Sequence, residues 1–202
     1  MSHPSSSHAG GAGAADLTRQ RLIRAALELF TTKGYHDTTT AQIAKKAGIA
    51  EGTIYRHFAS KQQLVNELYR AAQRWASKVV QETSRAPEAG TARAQLTAVA
   101  HGLIDGAAHD TAIVKLGLLE PLDALLDEES RRTEREFRTA IERVIAEGKA
   151  QNSVRAGAVE IWSGVWLAVI SYALKKIVGG DWKPGDAGVR LVIDAAWRAI
   201  SA

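Results

Sequence analysis

Hydrophobic residues recur at helical spacing along most of the chain, and no stretch shows the strict alternation of a half-buried strand. Leu22, Ala26 and Phe30 lie four apart in a first predicted helix over residues 17–33, and two short helices follow it. Pro121 should kink or divide the helix that contains it, and Pro87 marks an earlier break. The pattern predicts an all-α protein of about nine helices, the remaining six lying at 61–85, 91–108, 111–126, 128–148, 156–178 and 186–201.

Residues 34–64 contain the two short helices, separated by a three-residue turn. Thr39 and Gln42 have the spacing of a capping box, in which the hydroxyl and the amide each satisfy a free backbone N–H. Gly48 follows the first short helix, where the chain must stop and reverse, a position that commonly needs a positive φ. The second short helix is predicted over Glu51–Phe58, with Ile54 and Phe58 on its buried side.

Two helices joined by a short glycine-containing turn indicate a helix-turn-helix, whose second helix commonly reads base edges in the DNA major groove. Gly52 is a poor helix former, but in the first turn its missing side chain permits close approach of backbone to DNA. The outward face of the predicted second helix carries Glu51, Thr53, Tyr55, Arg56 and His57.

Charge is unevenly distributed along the chain. Residues 1–80 contain 11 Lys/Arg and 5 Asp/Glu, a net charge of +6, whereas residues 81–202 contain 15 and 17, a net charge of −2. Positive charge therefore accompanies the helix-turn-helix, as a phosphate-binding surface requires.

The composition argues against several other classes of protein. The chain has no Cys, which excludes disulfides and thiolate chemistry and fits a reducing cytoplasm. No nucleophile elbow, phosphate loop or spaced metal motif appears, so we expect no catalytic residues, no cofactor and no metal. His101 and His109 lie on one helix face with Asp105 between them, but helix rise places them about 12 Å apart, too far for one ion.

Two further segments bear on location. Residues 1–15 lack the basic start and apolar core of a signal peptide and are predicted to be a disordered tail. The most apolar run, Ile161–Leu174, has 14 residues and is shorter than the roughly 20 that span a bilayer. We therefore expect a cytoplasmic protein with no membrane partner.

The helix-turn-helix region resembles the TetR-like (tetracycline-repressor-like) bacterial transcription regulators. The resemblance begins in RQRLIRAALELFTTKGYHDTT and continues through IAKKAGIAEGTIYRHFASKQQL, with glycine, threonine, tyrosine, phenylalanine and lysine at the family's spacing. It covers about a quarter of the chain. It implies a DNA-binding domain at 16–60 and an effector-binding and dimerisation domain at 61–202.

The resemblance also implies roles for individual residues. Glu51, Gly52 and Thr53 begin the recognition helix, where base contacts are expected, and Ala50 stands where the family often has a capping Ser or Thr. Two interpretations of Glu51 remain open: it reads a base such as cytosine, or it caps the helix or stays in solvent. The positions that typically touch phosphates are occupied by Thr39, Tyr55, His57 and Lys61.

The last two predicted helices carry more apolar positions than one chain of this size is expected to cover. Pairing them with the same helices of a second copy gives a two-fold four-helix interface, where the resemblance also places dimerisation. Packing within a single chain is the alternative. The predicted interface residues are Val165, Val169, Val189, Ile193 and Trp197.

The resemblance also implies an effector pocket between the helices of the C-terminal bundle. Several aromatic residues there favour an apolar or aromatic effector, although each could instead be plain core. The predicted pocket residues are Trp75, His101, His109, Leu118, Phe137, Trp162, Trp166 and Tyr172.

We therefore expect a homodimeric repressor that binds a pseudo-palindromic operator in double-stranded DNA and is released by a small effector. A DNA-binding protein of the same fold without small-molecule control, an enzyme, and a purely structural bundle are the alternatives. The purely structural bundle would not need the positively charged face.

Overall fold

The computed structural model describes residues 9–84 and 90–202, which divide into two compact units. Unit 1 comprises Met1–Leu68 and unit 2 comprises Tyr69–Ala202. Within the described ranges the chain forms helices and turns, and its only β pairing is an isolated bridge between Val154 and Ser201. The predicted all-α fold is confirmed.

Unit 1 consists of three helices and the start of a fourth: α1 Ala9–Lys33, α2 Thr40–Ala47, α3 Glu51–Ile54 and α4 Lys61–Ser84. Helix α2 packs against both α1 and α3. Ion pairs from Arg19 to Glu67 and from Lys46 to Glu28 tie α1 to α4 and to α2. The core contains Leu22, Ala26, Phe30, Ile43, Ala47, Ile54, Phe58 and Leu64, all less than 5% exposed.

Unit 2 contains the rest of α4, followed by α5 Ala92–His109, α6 Thr111–Val114, α7 Glu128–Ala150, α8 Val159–Val178 and α9 Ala187–Ile200. Helix α8 packs against α5, α7 and α9, and α5 also packs against α7 and α9. Their shared core includes Leu103, Ile141, Ile145, Trp166 and Ile170. These amphipathic helices therefore bury their apolar stripes against one another.

The segment between α6 and α7 departs from the single helix predicted over 111–126. Helix α6 runs directly into a π-helical turn, Lys115–Leu119, and a short 3₁₀ turn follows at Asp123–Leu125. Glu120 has extended backbone, as the residue before a proline favours, so Pro121 divides the segment as predicted.

Other boundaries also differ from the predicted ones. Helix α1 begins at Ala9, so residues 9–15 of the predicted disordered tail are helical, whereas residues 1–8 lie outside the described residues, as does Pro87. The predicted domain division at 60/61 coincides with the start of α4, whereas the division into compact units falls within that helix.

Helix α8 is apolar on faces that unit 2 does not cover. Among the described helices it alone has the length and composition to cross a membrane, and only 33% of its most apolar window is buried. Ile161 and Tyr172 on α8 are 58% and 51% exposed, and Leu191 on α9 is 66% exposed. The opposite side of α8, which includes Trp166 and Ile170, is core.

Candidate nucleic-acid interface and internal cavity

The first short helix has the capping box that its sequence predicts. Thr39 is the N-cap of α2: its Oγ1 accepts from the Gln42 N–H at 3.2 Å, and Gln42 Oε1 accepts from the Thr39 N–H at 3.1 Å. The Thr39 hydroxyl acts only as an acceptor in this cap. Its O–H therefore remains available to donate outwards from an exposed position.

The turn after α2 depends on Gly48, which has φ 67° and ψ 40° in the left-handed region. The N–H of Gly48 donates to Lys45 O at 3.1 Å and the N–H of Ile49 to Ala44 O at 3.0 Å, which closes the helix in a Schellman-like pattern. Arg21 of α1 donates to Gly48 O at 3.3 Å. The glycine therefore fixes the direction in which the chain enters α3.

Helix α3 is shorter than predicted, ending at Ile54 with a turn that continues to His57. Its N-cap, Ala50, has no side-chain cap, and Gly52 in its first turn has low helix propensity. Phe58 is nevertheless buried as predicted, and its N–H donates to Ile54 O at 2.9 Å. The local sequence therefore supports only one full turn before the chain passes into α4.

The surface around α3 presents polar side chains and an accessible backbone. Glu51, Gly52 and Arg56 are exposed, Thr53 and His57 are half-buried, and a Cβ at Gly52 would meet nothing within 4 Å. Packing within the chain therefore does not require glycine at that position. The open backbone is available for close approach by a ligand.

Tyr55 and Thr40 are joined across the turn by a hydrogen bond between their hydroxyl oxygens, 3.1 Å apart. Tyr55 is 55% exposed, so the side chain is held by this hydrogen bond and still accessible to solvent. This hydrogen bond gives the Thr40 hydroxyl a role in positioning Tyr55.

Lys61, at the start of α4, is bound to the loop between α1 and α2. Its Nζ donates to Tyr35 O and Thr38 O, both at 2.8 Å, and lies 4.1 Å from the centre of the Tyr35 ring. Burial lowers the pKa of the Lys61 ammonium, against a smaller raising effect of the Asp37 carboxylate. Two of its three donors are therefore used internally, and one remains for an external acceptor.

A cavity of about 340 Å³ lies within unit 2. Its apolar lining comes from α5, α7, α8 and the segment that precedes α7, and small residues of α8 and of the π-helical turn also line it. The apolar residues are Leu103, Leu118, Leu122, Leu126, Phe137, Leu167, Ile170 and Leu174, and the small ones are Gly117, Gly164, Ala168 and Ser171.

Six polar residues that were not predicted from the sequence also line the cavity, namely Tyr69, Gln73, Glu120, Asp123, Glu134 and Arg138. Tyr69 and Gln73 are 6% and 3% exposed and lie four residues apart on α4. Burial, followed by the Glu134 and Asp123 carboxylates, raises the pKa of Tyr69 well above its usual value. Two polar residues on the buried stripe of a helix were the available sequence signal.

Only Leu118 and Phe137 of the predicted pocket residues line this cavity. Trp166 is core, and Trp75 packs over Gly106. Trp162 donates to Ala156 O at 3.2 Å, outside the cavity. The remaining three lie at or near the surface. Tyr172 is edge-on to Trp182, with ring centres 5.7 Å apart. His101 lies in a shallow cleft beside Trp197, and His109 is exposed.

The predicted dimer residues divide into two groups. Val189 and Ile193 are 0% and 6% exposed because they pack into the core of unit 2, so they offer almost no surface to a partner. Val165, Val169 and Trp197 are half-buried and retain a solvent-facing part.

Residues 22–68 match a protein-family model described as bacterial regulatory proteins, tetR family. The chain is 35% identical over 136 residues to the HTH-type transcriptional regulator TcmR of Streptomyces glaucescens, covering 64% of this chain and 59% of that protein. It is 33% identical over 104 residues to the uncharacterized HTH-type transcriptional regulator YvkB of Bacillus subtilis, covering 52% of each chain. The chain thus spans little more than half the length of these relatives.

The fold is also that of solved structures. A TetR family transcription regulator from Marinobacter aquaeolei superposes with a TM-score of 0.78 at 18% identity, covering 94% of this chain and 98% of that one. The helix-turn-helix segment of this chain therefore matches the model of the tetR family of bacterial regulatory proteins, and the chain as a whole has the fold of a solved TetR family regulator.

Proposed function

We propose that this protein is a sequence-specific DNA-binding transcriptional regulator, a repressor released from a pseudo-palindromic operator by a small effector. The observation that carries the proposal is the exposed first turn of α3, where Glu51 and Gly52 face solvent beside outward-facing donors. A DNA-binding regulator of this kind acts in the bacterial cytoplasm and needs no catalytic group.

The side chains of unit 1 have the chemistry that two kinds of DNA contact require. Thr53 lies in the first turn of α3, where base edges are within reach of a helix in the major groove. The Thr39 hydroxyl, the Tyr55 phenol, the His57 imidazole and the Lys61 ammonium are donors suited to phosphates. Exposed Arg56 adds positive charge beside them. We assign Thr53 to sequence preference and Lys61 to general affinity.

Dimerisation follows from the apolar residues that unit 2 leaves exposed. Ile161, Tyr172 and Leu191 are each more than half exposed, and Val165 and Val169 are half-buried on α8. Apolar surface of this kind is stabilised by burial against a partner. A second copy with the same two helices would cover it and give the two-fold symmetry of a pseudo-palindromic operator.

Leu191→Glu tests the dimer. It places a charge in the proposed interface without touching the core, so the mass measured by light scattering should fall from dimer to monomer. Glu160→Lys, a charge change on α8 rather than α9, tests how far the interface extends, because Glu160 is exposed at the first turn of α8. A Leu191→Glu protein that keeps the parent mass would contradict the proposed interface.

The effector mechanism is a shift in population between two arrangements of the dimer. The cavity of unit 2 is the effector site. Helix α4 begins in unit 1 and continues in unit 2, and it connects DNA binding with effector binding. A ligand that prefers one arrangement by about 1.4 kcal/mol changes operator affinity tenfold.

The decisive experiment is selection of bound sequences from a random DNA pool, followed by titration of the selected site at several salt concentrations. The expected result is a palindromic consensus and an affinity that falls steeply with salt. Lys61→Met should weaken binding to all sequences and reduce the salt slope by about one, whereas Thr53→Val should change the consensus. Lys183→Met, which removes an exposed charge from unit 2, is the matched control.

Circular dichroism should show that Lys61→Met is folded, because this lysine also binds the Tyr35 and Thr38 carbonyls. Binding without sequence preference, or no binding at all, would end the proposal. A Lys61→Met protein that changes only the consensus would refute the phosphate assignment.

A further inference from the structure

The polar groups of the cavity are gathered on the elements opposite α8. Helix α8 contributes apolar and small residues, among them Leu167, Ile170 and Leu174. Helix α4 contributes Tyr69 and Gln73, whereas carboxylates come from α7 and from the segment that precedes it. The cavity is therefore amphipathic, with an apolar wall and a polar wall.

Gln73 has a fixed amide with one unmatched atom. Its Nε2 donates to Gly117 O at 2.8 Å, which sets the orientation of the amide because a carbonyl oxygen can only accept. Its Oε1 is buried and has no hydrogen-bond partner among the described residues, and the whole residue is 3% exposed. An acceptor left unpaired in this way is destabilising until a donor reaches it.

The charged groups of the cavity also favour a donor. The carboxylates of Glu120, Asp123 and Glu134 face one lining cation, Arg138, which pairs with Glu134 at 3.0 Å. Glu120 pairs with Lys115 at 3.8 Å, which leaves Asp123 as the carboxylate for the ligand. Asp123 makes no ion pair with any described residue. Burial is the main cause of the raised pKa of Tyr69, and the negative charges of the Glu134 and Asp123 carboxylates at the cavity wall raise it further.

We infer that the cavity binds an amphipathic ligand whose protonated amine donates to the Gln73 Oε1 and Asp123 side of the cavity and whose apolar body lies against α8. This inference rests on the proposed function, since it names the chemical class of the effector. It adds a charged head group to the apolar or aromatic effector that the sequence favours. The cavity volume of about 340 Å³ is near the lower end of the roughly 300–1,000 Å³ found for small-molecule sites, so the ligand is small.

A matched set of probes isolates the head group. 4-Phenylbutylamine, 4-phenylbutanol and 4-phenylbutanoate share one apolar body and present an ammonium, a hydroxyl and a carboxylate at neutral pH. Calorimetric titration of the full chain should give tightest binding for the amine and at least tenfold weaker binding for the carboxylate. Binding of the amine should weaken as salt is added.

Two substitutions locate the head group. Asp123→Asn should weaken the amine about tenfold, equivalent to about 1.4 kcal/mol, and leave the alcohol unchanged. Gln73→Met removes the acceptor at similar volume and should weaken both the amine and the alcohol. Asp105→Asn, at an exposed position of α5 that does not line the cavity, should leave all three affinities at the parent values.

Equal or tighter binding of the carboxylate would overturn the inference, as would an Asp123→Asn protein with unchanged affinity for the amine. Failure of all three probes to bind would overturn it too. Operator binding without any probe tests the proposed function separately. Loss of DNA binding with retained amine selectivity would refute the regulator and leave the ligand class standing.

Discussion

Gly117 lies where the π-helical turn passes against α4, and substitution by alanine should strain both. A Cβ at this position would come closer than 3.0 Å to the Cβ of Ala72 and lie 3.6 Å from its Cα. Ala72 is fully buried, and a Cβ cannot rotate away because the backbone fixes it. Gly117→Ala therefore forces the two backbones apart.

Three contributions determine how much Gly117→Ala lowers the free energy of unfolding. Overpacking of a core costs about 1–3 kcal/mol. Separation of the backbones also strains the 2.8 Å hydrogen bond from Gln73 to Gly117 O, and the loss of a buried bond costs about 1–3 kcal/mol more. The higher helix propensity of alanine offsets about 1 kcal/mol of this destabilisation. The free energy of unfolding of unit 2 should fall by about 1–5 kcal/mol.

Ala72→Gly provides the matched rescue, because it removes the methyl group that the new Cβ meets. Alone it should cost about 1–2 kcal/mol through helix propensity and lost apolar burial. The double variant should be more stable than Gly117→Ala alone, with a coupling free energy of about 1–3 kcal/mol. Urea denaturation followed by tryptophan fluorescence reports this unit selectively, because all five Trp residues lie in it.

Two outcomes would refute the reasoning. A Gly117→Ala protein with the parent's urea midpoint would mean that the turn moves away from α4 without strain. Strictly additive costs in the double variant would mean that the methyl groups of residues 72 and 117 do not meet, and that any loss comes from the turn itself.

Two further predictions concern the turn before α3 and the start of α7. Gly48→Ala places a side chain at φ 67° and should destabilise unit 1 by about 1–2 kcal/mol in thermal melts followed by circular dichroism. Asp127 caps α7 by accepting from the Ser130 N–H at 2.8 Å, and it pairs with Arg70 at 3.0 Å. At pH 7, Asp127→Ala should therefore lower the free energy of unfolding by about 2 kcal/mol. Asp127→Asn keeps the cap and should lower it by about half as much. Burial raises the pKa of Asp127, but the hydrogen bonds from Ser130 and Arg70 outweigh burial and leave the pKa below the usual 3.8. The parent protein should therefore have a higher urea midpoint than Asp127→Asn above about pH 4. This difference should vanish as the pH falls through the lowered pKa.

The helix-turn-helix could be predicted from sequence because its signals are local. Thr39 and Gln42 cap a helix three residues apart, and Gly48 supplies the one backbone conformation that ends it. These interactions require no knowledge of distant parts of the chain. The end of α3 was missed because Ala50 and Gly52 weaken that helix, and the apolar spacing of its buried side chains does not report the weakness.

The cavity could not be predicted in the same way, because helical spacing says which residues share a face and not which faces meet. Trp166 fills the core, and Trp162 binds the Ala156 carbonyl outside the cavity. Tyr69 and Gln73 line it because α4 turns that face towards α7 and the π-helical turn. The i,i+4 spacing of these two polar residues on the predicted buried face was visible in the sequence. Whether they line a cavity depends on which elements pack opposite them.

Under the proposed function, how tightly a ligand binds the cavity is a separate quantity from how strongly that ligand changes operator affinity. An apolar body buried equally in both arrangements of the dimer adds affinity and shifts nothing. A charged hydrogen bond is worth about 1.5–3 kcal/mol. One such bond from an ammonium group to Gln73 Oε1, formed in a single arrangement, therefore reaches the roughly 1.4 kcal/mol that a tenfold change in operator affinity requires. The amine should therefore release DNA at saturation, whereas the alcohol should bind and release less, and this difference distinguishes an effector from an occupant.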